Sequence, residues 1–213
     1  MSSNLSSTIS LSLTSRTTTL QNVEDLCKEA TAQNSYAVCV PPLFVKKAKE
    51  HLANSQVNVA TVIGFPYGYS AIEAKLAEVV LAMVDGADEL DVVVNITALS
   101  NADWQYLARE LSSILPVVQK RQIPLTVMIE STLLQPGDLI KCCDLYGAAG
   151  VQHIGLNTGI EPGMPGLETV ALVRQHLADS VGIKVTGAFA TEADTKLYLA
   201  AGANYIARQY PVK

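Results

Sequence analysis

Asp91 and Lys184 each stand in the middle of a short apolar run, where packing alone would not require a charged residue. If the run 89–95 (Glu-Leu-Asp-Val-Val-Val-Asn) is a strand, Asp91 and Glu89 share one face, because strand side chains alternate. The run 182–187 (Gly-Ile-Lys-Val-Thr-Gly) carries Lys184. Burying such groups is costly unless they are paired or used for function. Asp91 and Lys184 are therefore the first candidates for catalytic residues.

Nucleophilic or acid–base catalysis is the chemistry open to these two residues. Desolvation lowers the pKa of a lysine and can make it a nucleophile, while Asp91 would be the functional acid. Each has a structural alternative, since Asp91 could bond to a neighbouring strand and Lys184 could extend to the rim or pair with a carboxylate. Glu130, which ends the run Val-Met-Ile-Glu, and Cys39 are possible supporting residues.

Short β-branched runs alternate with longer amphipathic segments along the chain, which is the pattern of a parallel sheet surrounded by helices. The predicted strands are 9–13, 36–40, 57–63, 89–95, 125–130, 151–156, 181–185 and 205–207. The predicted helices are 20–32, a segment from Pro41-Pro42 to about 53, 71–85, 103–121, 136–146, 167–178 and 192–200. This order favours one α/β domain over residues 1–213, a (β/α)8 TIM barrel whose last helix is missing. A doubly wound sheet is the alternative fold.

Barrel active sites lie at the C-terminal ends of the strands, so the loops that follow strands matter most. Gly159 and Gly187 follow predicted strands, and their backbone N–H groups could bind an anion.

Composition excludes several classes of function. The net charge is −5, and the basic residues are scattered, so we expect no nucleic-acid partner. The apolar runs are too short for a membrane span, and the first thirteen residues do not form a signal peptide. The four cysteines have no metal-ligand spacing. We therefore expect a cytoplasmic protein with reduced thiols, no membrane association, no metal and no cofactor.

Six runs together resemble deoxyribose-phosphate aldolase, and they follow that family's order over nearly the whole chain. They are Ala37-Val-Cys-Val-Pro41, Val59-Ala-Thr-Val-Ile-Gly-Phe-Pro66, Gly86-Ala-Asp-Glu-Leu-Asp-Val-Val-Val-Asn95, Val127-Met-Ile-Glu130, Asn157-Thr-Gly159 and Gly182-Ile-Lys184. The resemblance implies a class I aldolase barrel of deoxyribonucleotide catabolism. It would cleave 2-deoxyribose 5-phosphate to acetaldehyde and glyceraldehyde 3-phosphate without a metal.

The resemblance also assigns roles to residues. In that family a strand-six lysine forms a Schiff base with the aldehyde, a strand-seven lysine lowers its pKa, and a strand-four aspartate assists proton transfer. Lys184 and Asp91 match the last two, but Gly155 stands at the strand-six position. Glycine has no amine with which to form an imine, so we expect the ordinary reaction to be lost or much reduced. Lys184 beside Asp91 should stay protonated, because an opposite charge favours the ammonium.

The phosphate-binding part of the family pattern is also incomplete. The arginine expected after strand seven is replaced by Ala190, and the small residues expected after strand eight are replaced by Arg208 and Gln209. Ser10 stands where the family usually has an aspartate. We therefore expect a weak phosphate site formed by Thr158, Gly159, Gly187 and Arg208. Arg208 could supply the charge there, and the alternative is an arginine at the rim of the barrel.

Three functional hypotheses remain open at this point. The chain could be an aldolase homologue that has become a non-catalytic binding or assembly protein. It could be a divergent class I aldolase or lyase that uses Lys184 and Asp91. It could also be a barrel enzyme with chemistry that needs no imine. In each case the expected partner is a small phosphorylated or carbonyl compound. We also expect a homo-oligomer, because a barrel without its eighth helix should expose an apolar flank.

Overall fold

Eight parallel strands close into a barrel in the computed structural model, which describes residues 5–161 and 163–212. Each strand pairs with the next along the chain, and β8 closes the barrel by pairing with β1. The strands are β1 (Ile9–Ser12), β2 (Ala37–Val40), β3 (Asn58–Ile63), β4 (Glu89–Val93), β5 (Leu125–Ile129), β6 (His153–Leu156), β7 (Gly182–Gly187) and β8 (Tyr205–Gln209). The predicted TIM barrel is confirmed, and the doubly wound alternative is wrong.

The helices lie between the strands and cover the outside of the barrel. They are α1 (Leu20–Gln33), α2 (Val45–His51), α3 (Ile72–Val84), α4 (Ile96–Ser100), α5 (Trp104–Lys120), α6 (Pro136–Ala148), α7 (Leu167–His176) and α8 (Glu192–Ala200). Within residues 5–161 and 163–212 no helix follows β8, as predicted. The short helix α4 was not predicted. It begins early because the Asn95 side chain accepts a hydrogen bond from Ala98 N, which caps the helix and ends the preceding strand.

Because side chains alternate along each strand, one set faces the layer beneath the helices and the other faces the inside of the barrel. On β4, Leu90 and Val92 face outward into the apolar layer beneath the helices, whereas Glu89 and Asp91 face into the barrel. Each outward leucine that is fully buried contributes about 1.5–3 kcal/mol to folding. The apolar layer therefore stabilises the barrel, and the inward positions hold polar residues such as Glu89 and Asp91 as well as apolar ones.

The expected apolar flank beside β8 is not observed. Ile206 on β8 and Leu11 on β1 both face outward, yet they are 0% and 1% exposed. Tyr210, just after β8, packs against the same core. A cluster of exposed apolar side chains lies instead on the outer face of α3, formed by Val80, Leu81 and Val84. The β8 flank is thus covered without an eighth helix, by neighbouring side chains that include Tyr210, and the expected exposed flank was wrong.

None of the helices in the described ranges is both long enough and apolar enough to cross a membrane.

Candidate active site

Lys184 and Asp91 form a buried ion pair inside the barrel. Lys184 Nζ lies 2.9 Å from Asp91 Oδ1 and 2.8 Å from Asp91 Oδ2, so both oxygens accept from the same ammonium. The two residues are 1% and 4% exposed. The prediction that they share one cavity is confirmed by this contact, whereas a catalytic role for them stays a prediction.

The surroundings of Lys184 keep it charged. Burial alone would lower the pKa of Lys184, but the carboxylates of Asp91 and Glu89 outweigh burial and raise it above its usual value. Glu89 Oε2 lies 3.9 Å from Lys184 Nζ. A protonated amine has no lone pair to attack a carbonyl carbon. In this geometry Lys184 is therefore a poor nucleophile.

A layer of aromatic and polar side chains closes the barrel on the N-terminal side of this pair. Glu89, His153 and Tyr205 are the first residues of β4, β6 and β8. The Tyr36 hydroxyl donates to Glu89 Oε1, and the Tyr36 ring stacks on Tyr205 with 4.4 Å between centroids. Burial lowers the pKa of His153 to about 4, so this imidazole is neutral near pH 7. Neither Tyr36 nor Tyr205 was predicted from the sequence to lie in the interior.

Gly155 faces the barrel interior, and Met128 fills the space in front of it. These two residues are register partners on β6 and β5. A Cβ atom added at Gly155 would overlap Met128 Sδ, and it would lie 3.0 Å from both Met128 Cε and Thr126 Cγ2. Met128 is itself buried. The position that the family resemblance assigns to the Schiff-base lysine is thus occupied by a neighbouring apolar side chain.

Little space remains in the chamber above the ion pair. The cavity between Cys39, Asp91, Met128, Thr158 and Thr186 has a volume of about 10 Å³. A volume of roughly 10–15 Å³ is what one water molecule requires. A sugar phosphate therefore cannot enter this chamber unless side chains move.

Cys39, a possible supporting residue, lies beside the ion pair. Its Sγ atom is 3.8 Å from Asp91 Oδ2. Burial and the Asp91 carboxylate both raise the pKa of the Cys39 thiol well above its usual value. Cys39 is therefore a protonated thiol and a weak nucleophile.

Glu130 stabilises the loop after β6. Thr158 N donates to Glu130 Oε1 at 2.6 Å, and the Thr158 hydroxyl donates to the same oxygen. Next to them, Ser131 N and Ser131 Oγ both donate to Asn157 Oδ1, at 3.0 and 2.7 Å. Thr158, a predicted phosphate-binding residue, uses its backbone N–H and its hydroxyl within the protein. These contacts give Glu130 and Thr158 a structural role at the mouth of the barrel.

The predicted phosphate loops are covered by side chains. Gly159 adopts φ +80°, which favours glycine, and its carbonyl accepts a hydrogen bond from Gln209 Nε2. A Cβ atom at Gly187 would lie 2.8 Å from Met164 Cγ, so Met164 packs directly on that backbone. An anion could reach these two glycines only if Gln209 and Met164 moved.

Arg208 does not join the loop glycines, contrary to the sequence-based expectation. Its register partner on β1 is the outward-facing Leu11, so its side chain leaves the barrel wall on the outer side. Arg208 Nη2 lies 3.4 Å from Gln33 Oε1, at the C-terminal end of α1. The guanidinium therefore contacts α1, and it supplies no charge to the predicted phosphate site.

The structure is a TIM barrel whose interior contains a buried ion pair. Comparisons with known proteins identify its family. Residues 6–137 match the family model described as DeoC/LacD family aldolase. A deoxyribose-phosphate aldolase of Thermococcus kodakarensis is 37% identical over 197 residues, which is 92% of this chain and 88% of the relative. One from a Thermoanaerobacter species is 35% identical over 211 residues, 99% of this chain and 95% of the relative.

Solved structures agree with the sequence relatives. The tetrameric deoxyribose phosphate aldolase from Aeropyrum pernix superposes with a TM-score of 0.89 at 26% identity, covering 97% of this chain and 88% of that one. The chain belongs to the DeoC/LacD aldolase family. The region matched by the family model ends before β6, so it contains Asp91 but neither Gly155 nor Lys184.

Proposed function

We propose that this chain is a deoxyribose-phosphate aldolase homologue that does not carry out imine-dependent cleavage, and that it acts as a binding protein for a small phosphorylated or carbonyl compound. The observation that carries the proposal is the packing of Met128 against Gly155. A missing lysine could be one isolated substitution in an otherwise open site. Here the vacated space is filled, and about 10 Å³ of the chamber remains.

The alternative nucleophile is Lys184, and its contacts argue against that role. Both carboxylate oxygens of Asp91 accept from its ammonium, and Glu89 lies 3.9 Å away. Imine formation requires the neutral amine. Releasing that amine would leave two carboxylates near each other in a buried site, which is unfavourable. The divergent aldolase that uses Lys184 is therefore disfavoured.

We expect the purified chain to show no cleavage of 2-deoxyribose 5-phosphate above background, because none of the described residues that line the chamber offers a neutral amine to the aldehyde carbon. Production of acetaldehyde or glyceraldehyde 3-phosphate would be measured in a coupled assay. The Thermococcus kodakarensis aldolase, assayed in parallel at the same substrate concentration, controls for the coupling enzymes. A turnover near ~10 s⁻¹, the rate of an ordinary enzyme, would refute the proposal.

We also propose that the protein forms homo-oligomers through α3. Val80, Leu81 and Val84 are exposed on the outer face of this helix, Val84 to 77%. Ala77 and Ala74 are exposed one and two turns before Leu81. Large exposed apolar surfaces usually mark interfaces. The tetrameric state of the Aeropyrum pernix relative supports association between copies of this fold.

Light scattering after size-exclusion chromatography tests this association. We expect the unmodified chain to elute above its monomer mass of 22.7 kDa, and Leu81→Lys to shift it toward the monomer. Leu197→Lys is a matched control, because Leu197 on α8 is similarly exposed, 55% against 63% for Leu81. A clean monomer at micromolar concentration, or equal effects of the two variants, would contradict the proposal.

The four cysteines are all free and buried, and we propose a reducing, cytoplasmic location on that basis.

A further inference from the structure

A large groove lies on the C-terminal face of the barrel, next to the filled chamber. Its volume is about 830 Å³, and the loops that follow β1, β2 and β3 form most of its wall. This size is within the range of about 300–1,000 Å³ that is typical of small-molecule sites. Thr14, Val62 and Phe65 line both the groove and the small chamber, so the two spaces adjoin. The groove is therefore the open space at the end of the barrel where ligands of this fold bind.

The wall of the groove is mainly apolar and built from rigid residues. Pro41, Pro42, Phe44, Phe65 and Pro66 contribute to it. Prolines and aromatic rings lose little conformational freedom when a ligand binds, so this wall is largely preformed. A polar sugar would gain little from such a surface. A hydrocarbon or aromatic group would gain from burial against it.

The exposure of Leu43, at the edge of the groove, also favours ligand binding there. It is 82% exposed, more than any other large hydrophobic side chain in the described residues. A single exposed leucine is common, but this one borders a preformed apolar groove on the ligand-binding face. A ligand in the groove would cover it.

Arg16, in the loop after β1, brings a positive charge to the groove. Across residues 5–161 and 163–212 it takes part in no ion pair. Glu78 is the carboxylate that lines the groove, and one of its oxygens accepts a hydrogen bond from Gly64 N at 2.7 Å. Because it has no ion-pair partner among the described residues, the Arg16 guanidinium is available to an anion from outside, and the Thr14 hydroxyl lies on the same wall.

We propose that this groove binds a small organic anion that has an apolar body and one carboxylate or phosphate head. The apolar body would lie against Phe44, Phe65 and the prolines, and the head would accept charge-assisted hydrogen bonds from Arg16. The inference rests on the proposed function, because a ligand that cannot enter the filled chamber would bind in the groove at the mouth of the barrel. It gives that function a ligand class that differs from a sugar phosphate.

The test is calorimetry on the full chain with four probes: phenylacetate, phenyl phosphate, 2-phenylethanol and inorganic phosphate. We expect saturable binding of at least one of the two aromatic anions, with inorganic phosphate weaker because it lacks the apolar body. Whichever anion binds more tightly identifies the head group. Arg16→Ala should weaken that anion about tenfold, which corresponds to about 1.4 kcal/mol, and leave 2-phenylethanol unchanged. Arg121→Ala, an arginine at the end of α5 and outside the groove, is the matched control and should have no effect.

Two results would overturn this inference. One is the absence of saturable binding of both aromatic anions to the folded chain. The other is an Arg16→Ala variant that binds them as tightly as the unmodified chain does. Neither result bears on imine chemistry, because Arg16 is not needed for an amine to be trapped. Conversely, a trapped Schiff base in the unmodified chain would refute the proposed function whether or not the groove binds an anion.

Discussion

Imine chemistry should return to this barrel only when two substitutions are made together, Gly155→Lys and Met128→Ala. The lysine replaces the absent amine, and the alanine removes the sulfur atom that a side chain at position 155 would overlap. Gly155 is the register partner of Lys184, so the new amine would lie beside a buried ammonium. A neighbouring like charge lowers the pKa of a lysine, which favours the neutral form that attacks an aldehyde.

The two single variants are the controls for this prediction. Met128→Ala alone should give no adduct, because it adds no amine. Gly155→Lys alone should be destabilised by about 1–3 kcal/mol through overpacking, and it should give little or no adduct. The measurement is reduction with borohydride in the presence of acetaldehyde, followed by mass spectrometry to locate the adduct. Circular dichroism establishes that each variant is folded.

A folded double variant that forms no adduct at position 155 would contradict this account of the site. It would mean that Met128 is not the obstacle to imine formation at position 155. Turnover of the phosphorylated sugar is a separate matter, since Gln209 and Met164 still cover the loops that would hold phosphate. The prediction therefore concerns adduct formation rather than full activity.

Lys184→Met should be strongly destabilising, by about 3–5 kcal/mol, because it leaves the Asp91 carboxylate buried without its partner. Asp91→Asn combined with Lys184→Met should cost clearly less than the sum of the two single variants, since no uncompensated charge then remains. Urea unfolding measures each free energy. Lys28→Met is the control, because Lys28 pairs with Glu24 at the surface and its loss should change the free energy of unfolding very little.

The pH dependence of this effect follows from the raised pKa of Lys184. A group whose pKa is higher in the folded state stabilises the fold fully below its unfolded pKa, which is about 10.4 for lysine. That contribution is lost only as the pH rises through the folded value. In the unmodified chain, the stabilisation that Lys184 provides should therefore persist from about pH 7 to pH 9 and decline only above about pH 10.4. A cost of Lys184→Met below about 1 kcal/mol at pH 7 would show that the pair is not the buried, desolvated contact described above.

The barrel was predictable because its signal is local. Strand and helix periods alternate along the chain, and a charged residue inside an apolar strand run, such as Lys184, must find a partner within the fold. Gly155 was visible from the sequence because the residue that the family resemblance requires there is absent. The ends of the elements were less certain, as the cap formed by Asn95 shows.

The filling of the chamber could not be predicted, because it depends on the register between two strands. Met128 in an apolar run is typical of a core residue, and only the pairing of β5 with β6 places it opposite Gly155. The outward direction of the Arg208 side chain follows from strand alternation. Ala207 borders the chamber, and an adjacent residue on a strand must then face outward. The exposed outer face of α3 was missed because that helix is apolar nearly all round.

The most direct test of the central claim is borohydride trapping of the unmodified chain with acetaldehyde, followed by mass mapping of every lysine. We expect no Schiff-base adduct at Lys184 near pH 7, because Asp91 holds its ammonium and Met128 closes the chamber. The Thermococcus kodakarensis aldolase, treated in parallel, controls for the trapping chemistry. A stoichiometric adduct mapped to Lys184 would contradict the account, and it would show that this barrel forms imines with the lysine of β7.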